Sequence, residues 1–196
     1  MNHMEQCAYR LSHAESTQGF TLIETLVAIS IILTSIVGPL YTVQQSLNAS
    51  RTASEQLIAS SLAQEAVEYV RYVRDSNYLA AINGGSSVNW LQGFDGSASS
   101  VNCFDNDCVV DPKARTVALA PSDESQGYLY LNTNRLYTQV SSSGTKTPFK
   151  RTVRFTAMTN SNPALTTEVL VETTVTWSTR GQARTVVITE YLHNWL

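Results

Sequence analysis

The chain has 196 residues, which fits one ordinary domain together with an appended segment. Hydrophobic residues make up 43% of it, enough for a core, while charged residues make up 15%, against roughly 25% in typical soluble domains. The formal net charge is −3 at pH 7, and the densest basic group, Lys150, Arg151 and Arg154, alternates along a strand-like pattern. We interpret that group as part of a solvated strand and expect no nucleic-acid partner, because phosphate neutralisation requires clustered Lys and Arg side chains.

Composition divides the chain into five segments. Residues 1–19 form a polar leader, and residues 20–43 form an apolar run that we predict to be a transmembrane or filament-core helix. Residues 44–78 have the composition of an amphipathic helix, and residues 79–127 are a variable loop region rich in Gly, Ser, Asn and Asp. Residues 128–196 are rich in Thr and Val, which predicts an antiparallel sheet.

The apolar run carries one charged residue, Glu24. A run of this length is long enough to cross a bilayer, and a charge at the membrane centre costs about 2.5–3.5 kcal/mol, which marks Glu24 as functional. A secretory signal peptide would have a shorter apolar core, followed by a small-residue cleavage site that is missing after Val43. An uncleaved single-span anchor is the plain alternative, but it gives no reason for the opening Gly19-Phe20-Thr21-Leu22-Ile23-Glu24.

That hexapeptide resembles the cleavage site of type IV prepilins and type II secretion pseudopilins. The resemblance implies that prepilin peptidase cuts after Gly19, that the new α-amine of Phe20 is N-methylated, and that the apolar run stays on the protein. Gly19 also has a physical reason, because without Cβ its backbone can lie close in a protease site. Glu24 would then be an assembly group that pairs with the α-amine of a neighbouring subunit, since no Lys or Arg lies between residues 11 and 50.

Apolar positions after the membrane run repeat at three- and four-residue spacing, which predicts an amphipathic helix. Its apolar face consists of Leu57, Ile58, Leu62, Ala66, Val67, Val70 and Val73, and its polar face of Glu55, Gln64, Glu65, Glu68, Arg71 and Arg74. Glu68 and Arg71 are spaced for a side-chain ion pair. We expect Gly38-Pro39 to interrupt the helix, because proline lacks an N–H donor, and Asp75-Ser76-Asn77 followed by Gly84-Gly85 to end it.

Five strands are predicted in the last third of the chain from alternating β-branched and aromatic residues. They are Tyr128–Asn132, Leu136–Val140, Phe149–Met158, Glu168–Trp177 and Arg184–Leu192. Alternation is clearest in the fourth, where one face carries Val169, Val171, Val175 and Trp177. A helix followed by consecutive strands predicts an α+β fold, in which a long N-terminal helix, transmembrane in its first half, packs on a C-terminal antiparallel sheet.

The helix–sheet layout is similar to that of V-type minor pilins and I-type pseudopilins, as are the closing hairpin at residues 178–182 and the stretch 62–78. The resemblance implies a minor type IV pilin that is cleaved and N-methylated by prepilin peptidase and takes part in pilus assembly or initiation. Its partners would be the peptidase and other pilins, which it contacts through the N-terminal helix. It would span the inner membrane once, with its C-terminal domain in the periplasm, before it enters a pilus at the cell surface.

Two alternatives stay open at this point. A minor pseudopilin of type II secretion needs the same processing chemistry. A subunit at the filament tip could instead contact a host surface or DNA through residues 79–127, and an exposed patch formed by Trp90 and Phe94 would favour that role.

Cys103 and Cys108 enclose a short polar loop. With the C-terminal part outside the cytoplasm, the oxidising compartment favours a disulfide between them. So short a loop gains less from the link than the roughly 3 kcal/mol of a loop of about 15 residues. We therefore expect the disulfide to shape the loop, while the helix and sheet do not depend on it.

Four carboxylates crowd the same region, and some members of the resembled family bind calcium. They are Asp95, Asp105, Asp107 and Asp111. Their spacing does not match an EF-hand loop, and a zinc site would need four ligands where no His lies nearby. We interpret them as a solvated acidic loop and expect no metal.

The inventory of side chains does not support an enzyme. Of three histidines, His3 and His13 fall in the leader and only His193 remains, so no nucleophile, base and orienting group can be assembled. Ser143 and Lys146 match an S-x-x-K spacing, but they sit in a Ser-rich turn and the accompanying motifs are missing. We expect neither catalysis nor a cofactor.

Overall fold

The computed structural model describes residues 19–84, 89–97, 101–122, 127–162 and 165–195. Within them lie one α-helix, α1 (Leu22–Gly84), and the strands β1 (Cys108–Asp111), β2 (Thr116–Leu119), β3 (Tyr128–Asn132), β4 (Tyr137–Thr138), β5 (Gly144–Ala157), β6 (Glu168–Thr179) and β7 (Gln182–His193). Every pairing between these strands is antiparallel. The predicted α+β fold of a long helix packed on an antiparallel sheet is confirmed. The predicted leader, apart from Gly19, lies outside the described residues.

The chain divides into two compact units, Met1–Asn48 and Ala49–Leu196. In the first unit, the side chains of α1 are exposed from Leu22 to Leu47. The interruption predicted at Gly38-Pro39 is absent, because α1 is continuous there. A proline removes a single N–H donor, and the adjoining turns keep their helical hydrogen bonds.

α1 also continues past Asp75-Ser76-Asn77, where the sequence predicted its end, and stops at Gly84. The amide of Asn77 donates to the carbonyls of Trp90 and Gln92 at 3.2 and 2.9 Å. The side chain therefore bonds to another segment and does not compete for the backbone of its own helix. The second predicted signal, Gly84, marks the observed end.

The core-facing side of α1 is a stripe of residues in the second unit. Its buried members are Ala59, Leu62, Ala63, Ala66, Val67, Tyr69 and Val70. Leu57 was predicted to belong to it but is 70% exposed. Five residues at about 100° each turn Leu57 about 140° away from Leu62. Glu55, predicted on the polar face, instead accepts hydrogen bonds from Trp177 Nε1 at 3.2 Å and from Thr179 Oγ1.

β5 is the central strand of the sheet. One edge of β5 pairs with β3 near its start and with β1 at Val153, and the other edge pairs with β6, which in turn pairs with β7. The five predicted strands correspond to β3 through β7, although the second of them is reduced to the two residues of β4. β1 and β2 were predicted as loop, because strands of four residues are too short to display an alternating pattern.

Two apolar clusters fill the interface between α1 and the sheet. The first cluster consists of Ala66, Tyr69, Val70, Trp90, Leu91, Phe94, Cys103, Cys108, Val110, Val153, Phe155, Val169, Val171 and Leu192. The second cluster consists of Ala59, Leu62, Ala63, Leu129, Phe149, Val175 and Trp177. The alternation predicted for β6 is confirmed, because all four residues of its predicted face are buried in these clusters.

Arg151 lies on the core-facing side of β5, between Phe149 of the second cluster and Val153 of the first. Its exposure is 0%, so the interpretation of a solvated strand is wrong for this residue. The period of two that turns Arg154 toward solvent turns Arg151 toward the helix. A charged residue therefore separates the two apolar clusters.

Three acceptors surround the guanidinium of Arg151. Nη1 donates to the Leu62 carbonyl and to Glu65 Oε2, both at 2.8 Å, and Nη2 donates to the Val110 carbonyl at 2.9 Å. Burial lowers the pKa of Arg151, while the hydrogen bond and charge of Glu65 and the charge of Asp111 oppose that shift. Since an arginine stays protonated in proteins, the guanidinium remains charged and ties α1 to β1 and β5.

We predict that Arg151→Met lowers the free energy of unfolding by about 2–4 kcal/mol, because two buried carbonyls lose their donors. The matched control is Arg154→Met on the same strand. Arg154 is half-exposed and paired with Asp107, so its loss should cost no more than about 0.5 kcal/mol. Urea unfolding of the purified protein in detergent, followed by the fluorescence of the buried Trp90 and Trp177, measures both. Equal decreases in the free energy of unfolding for the two substitutions would contradict the role of Arg151 in tying α1 to β1 and β5.

Candidate functional site

The hexapeptide motif contains the start of α1, and Thr21 caps the helix. The Thr21 carbonyl accepts the N–H groups of Glu24 at 3.1 Å and of Thr25 at 3.2 Å, and Thr21 Oγ1 accepts the N–H of Glu24 at 3.3 Å. A threonine followed three residues later by a glutamate is the sequence of a capping box. This role of Thr21 was not predicted, although the spacing of Thr21 and Glu24 in the sequence is the signal that indicates it.

Glu24 lies in the first turn of α1 and is exposed. A carboxylate at this position is favourable toward the helix dipole by about 0.3–1 kcal/mol. Residues 25–50 contain no Asp, Glu, Lys or Arg. Among the described residues before Arg51, Glu24 is therefore the one Asp, Glu, Lys or Arg side chain.

Gly19 and Phe20 precede the helix and are exposed. A Cβ placed on Gly19 would meet no chain atom within 4 Å. The described structure therefore does not require glycine at this position, and any requirement for it comes from a molecule that binds the segment.

Hydroxyl groups in the apolar part of α1 hydrogen-bond to carbonyls of the preceding turn. The donors are Thr25, Ser30, Thr34, Ser35 and Thr42, at distances of 2.7–3.0 Å. These polar groups are satisfied within the helix and need no water. By length and composition α1 is apolar enough to cross a membrane, which fits membrane anchoring.

Cys103 and Cys108 form a disulfide, and both are fully buried in the first cluster. Cys103 donates its N–H to the Phe94 carbonyl at 2.8 Å and accepts the N–H of Phe155 at 2.9 Å. Cys108 begins β1 and pairs with Val153 of β5. The disulfide therefore joins two segments that hydrogen-bond to β5, and the expectation that the helix and sheet do not depend on it stays a prediction.

The four crowded carboxylates do not converge on one point. Within the described residues, no group of three or more His, Cys, Asp or Glu side chains is arranged to hold a metal ion. Asp105 accepts from Asn102 Nδ2 at 2.7 Å, and Asp107 pairs with Arg154 at 3.2 Å. They serve separate local contacts.

Asp111 differs from the others because it is only 2% exposed, so the interpretation of a solvated acidic loop is wrong for it. Its Oδ2 accepts Thr138 Oγ1 at 2.5 Å and the Gln139 N–H at 2.7 Å, and its Oδ1 accepts the N–H groups of Lys113 and Ala114, both at 3.0 Å. Burial by itself would raise the pKa of Asp111, but these hydrogen bonds outweigh it and the pKa is lowered. Asp111 joins the turn after β1 to β4.

The aromatic residues that an adhesive surface would need are in the core. Trp90 and Phe94 are 5% and 1% exposed. Trp90 Nε1 donates to the Thr166 carbonyl at 3.2 Å, and Phe94 stacks on Phe155 with ring centroids 4.8 Å apart. These two side chains therefore do not form the exposed patch that would favour a contact role for residues 79–127.

Comparison with known proteins identifies the N-terminal segment. A family model described as the prokaryotic N-terminal methylation motif matches residues 16–38. The chain therefore carries the signature of type IV prepilins and pseudopilins, and the prediction is confirmed over these residues. No curated protein and no solved structure matches the chain. The minor-pilin subtype stays a prediction.

The lowered pKa of Asp111 predicts a pH dependence of stability. The ionised carboxylate contributes stability above the unfolded-state pKa of about 3.9, and this is lost as the pH falls through the lower folded-state pKa. Asp111→Asn should cost about 1–3 kcal/mol at pH 7, and its deficit relative to the wild type should shrink below about pH 4. Urea unfolding across pH 7 to 3 measures this, with Asp105→Asn as the control. A deficit that does not change with pH would contradict the account.

Proposed function

We propose that this chain is a minor type IV pilin. The precursor is cut by prepilin peptidase after Gly19, the new N-terminus at Phe20 is methylated, and the subunit enters a filament through the N-terminal part of α1. The observation that carries the proposal is the methylation motif at residues 16–38. The helix that begins within this motif carries one charge over residues 22–50, that of Glu24.

Assembly would depend on that charge. In the membrane a lone carboxylate is costly, and a paired one much less so. Cleavage creates an α-amine at residue 20, which is cationic near neutral pH because its ordinary pKa is about 7.7–8.0. No Lys or Arg side chain lies between residues 11 and 50, so the amine of an adjacent subunit is the available partner for Glu24.

A minor pseudopilin of type II secretion is the second candidate. The same signature supports it, because the motif is common to prepilins and pseudopilins. Both candidates make the chain a membrane-anchored subunit of a filament, with the domain after residue 48 in the periplasm before assembly. They share the chemistry of Gly19, Phe20 and Glu24, so the two predictions below test both.

Gly19→Val should leave the precursor uncut in cells that contain prepilin peptidase. The branched side chain blocks close approach of the backbone to the protease, and it meets no atom of the described chain that could disturb the fold. Gly38→Val is the matched control, since a Cβ at that glycine also meets nothing within 4 Å. Intact-mass measurement of the two membrane-extracted proteins distinguishes them, and a shortened Gly19→Val protein would refute the cleavage site.

Glu24→Ala and Glu24→Gln should be inserted and cleaved normally but enter filaments at least about tenfold less often, because a charge-assisted pair worth about 1.5–3 kcal/mol is lost. The measurement is the ratio of mutant protein in sheared filament fractions to that in membranes. Glu68→Gln, a carboxylate outside the apolar run, serves as the control and should assemble like the wild type. Normal assembly of both Glu24 mutants would exclude Glu24 as the assembly group.

A further inference from the structure

β7 is a long and regular edge strand. Its twelve residues pair with β6 along their whole length without a bulge, and β6 is its one strand neighbour in the described part of the chain. β7 carries two charged residues, Arg184 and Glu190, but contains no Pro, whereas many natural edge strands are short, bulged or interrupted by proline. The opposite edges, β2 and β4, have only four and two residues.

The turn before β7 determines which backbone groups face outward. Arg180 and Gly181 both have positive φ, 52° and 78°, as in a two-residue type I′ hairpin. The closing pair Thr179 and Gln182 of such a hairpin exchanges both backbone hydrogen bonds, so the even-numbered residues of β7 bond to β6. The N–H of Asn194, which donates to Thr167 at 2.8 Å, continues the same parity.

The odd-numbered residues of β7 consequently direct their N–H and C=O groups toward the free edge. They are Ala183, Thr185, Val187, Thr189, Tyr191 and His193, and all are exposed. Their side chains are uncharged or weakly basic, and four of them belong to residue types that are enriched in strands. This edge offers an unpaired ladder to an extended segment, the arrangement used in strand addition.

Charge complementarity indicates the chemistry of the incoming segment. Arg184 lies on the helix-facing side of β7, and its Nε is buried without a hydrogen-bond partner in the described residues. The other charge on that side, Glu190, already binds Arg71 at 2.6 Å. A carboxylate on the added strand, opposite Arg184, would supply an acceptor for the guanidinium.

We propose that β7 receives an extended acidic segment of a neighbouring filament subunit, which adds as a further strand and places a carboxylate against Arg184. The proposal rests on the assembly role argued above, since it concerns a contact made in the filament. It assigns the sheet, in addition to α1, a direct part in assembly.

Val187→Pro in the full-length protein tests the backbone contact. It removes an outward N–H and leaves the bonds to β6 in place, a position where an edge strand tolerates proline. Incorporation into sheared filaments should fall at least about fivefold, the effect of one backbone hydrogen bond, while cleavage and the melting temperature in detergent stay near wild type. Val187→Ala, which keeps the N–H, should assemble normally.

Two further measurements decide the proposal. Hydrogen exchange at Thr185, Val187 and Thr189 should slow on going from detergent-solubilised subunit to filament, and Arg184→Glu should reduce incorporation because it opposes two carboxylates. Unchanged exchange together with normal assembly of Val187→Pro would overturn the β7 contact and leave the Glu24 role intact. Normal assembly of Arg184→Glu would contradict the pairing of Arg184 with an acidic side chain on the added strand. Wild-type protein absent from every filament fraction would overturn both the contact and the proposed function.

Discussion

The structure depends on a single constraint: one uninterrupted helix, α1, must satisfy two different surroundings. From Leu22 to Leu40 its first part exposes apolar side chains, hydroxyl groups that are bonded within the helix, and Glu24, which suits lipid or a filament core. Its second part, from Ala59 to Val70, buries a stripe of small and branched side chains against a sheet. Two charged residues are decisive for these two parts. Glu24 is an exposed charge in the apolar part, and Arg151 is a buried charge with three acceptors at the interface with the sheet. The role of each can be tested by substitution.

Arg151 is the polar counterpart of the apolar stripe. It separates the two clusters and hydrogen-bonds to Leu62 of α1 and Val110 of β1, so one side chain fixes the helix to two strands. Neighbouring Asp111 holds the turn after β1 to β4 through four hydrogen bonds. A buried ion pair is weak evidence for stability by itself. Arg151 is important because it supplies hydrogen-bond donors to two buried carbonyls.

The sequence predicted those features that depend on local periodicity. The alternation of Val169, Val171 and Val175 placed β6 correctly because a strand with one buried face repeats every two residues. Leu57 was misplaced because a short window does not determine the phase of a helical stripe. The burial of Arg151 could not be read locally, since its acceptors lie 89 and 41 residues away in the chain. The hexapeptide at residues 19–24 was sufficient to predict the N-terminal methylation motif. A short motif that another protein recognises is encoded in contiguous residues and can be read without the fold.

The central claim is that this chain is processed as a prepilin, and the N-terminal residue of the mature protein tests it most directly. Fragmentation mass spectrometry of wild-type protein, purified from membranes of cells with active prepilin peptidase, should give an N-terminal peptide that begins at Phe20 and carries one methyl group on its amine. A mature protein whose first residue lies before Phe20 or after Phe20 would contradict the account.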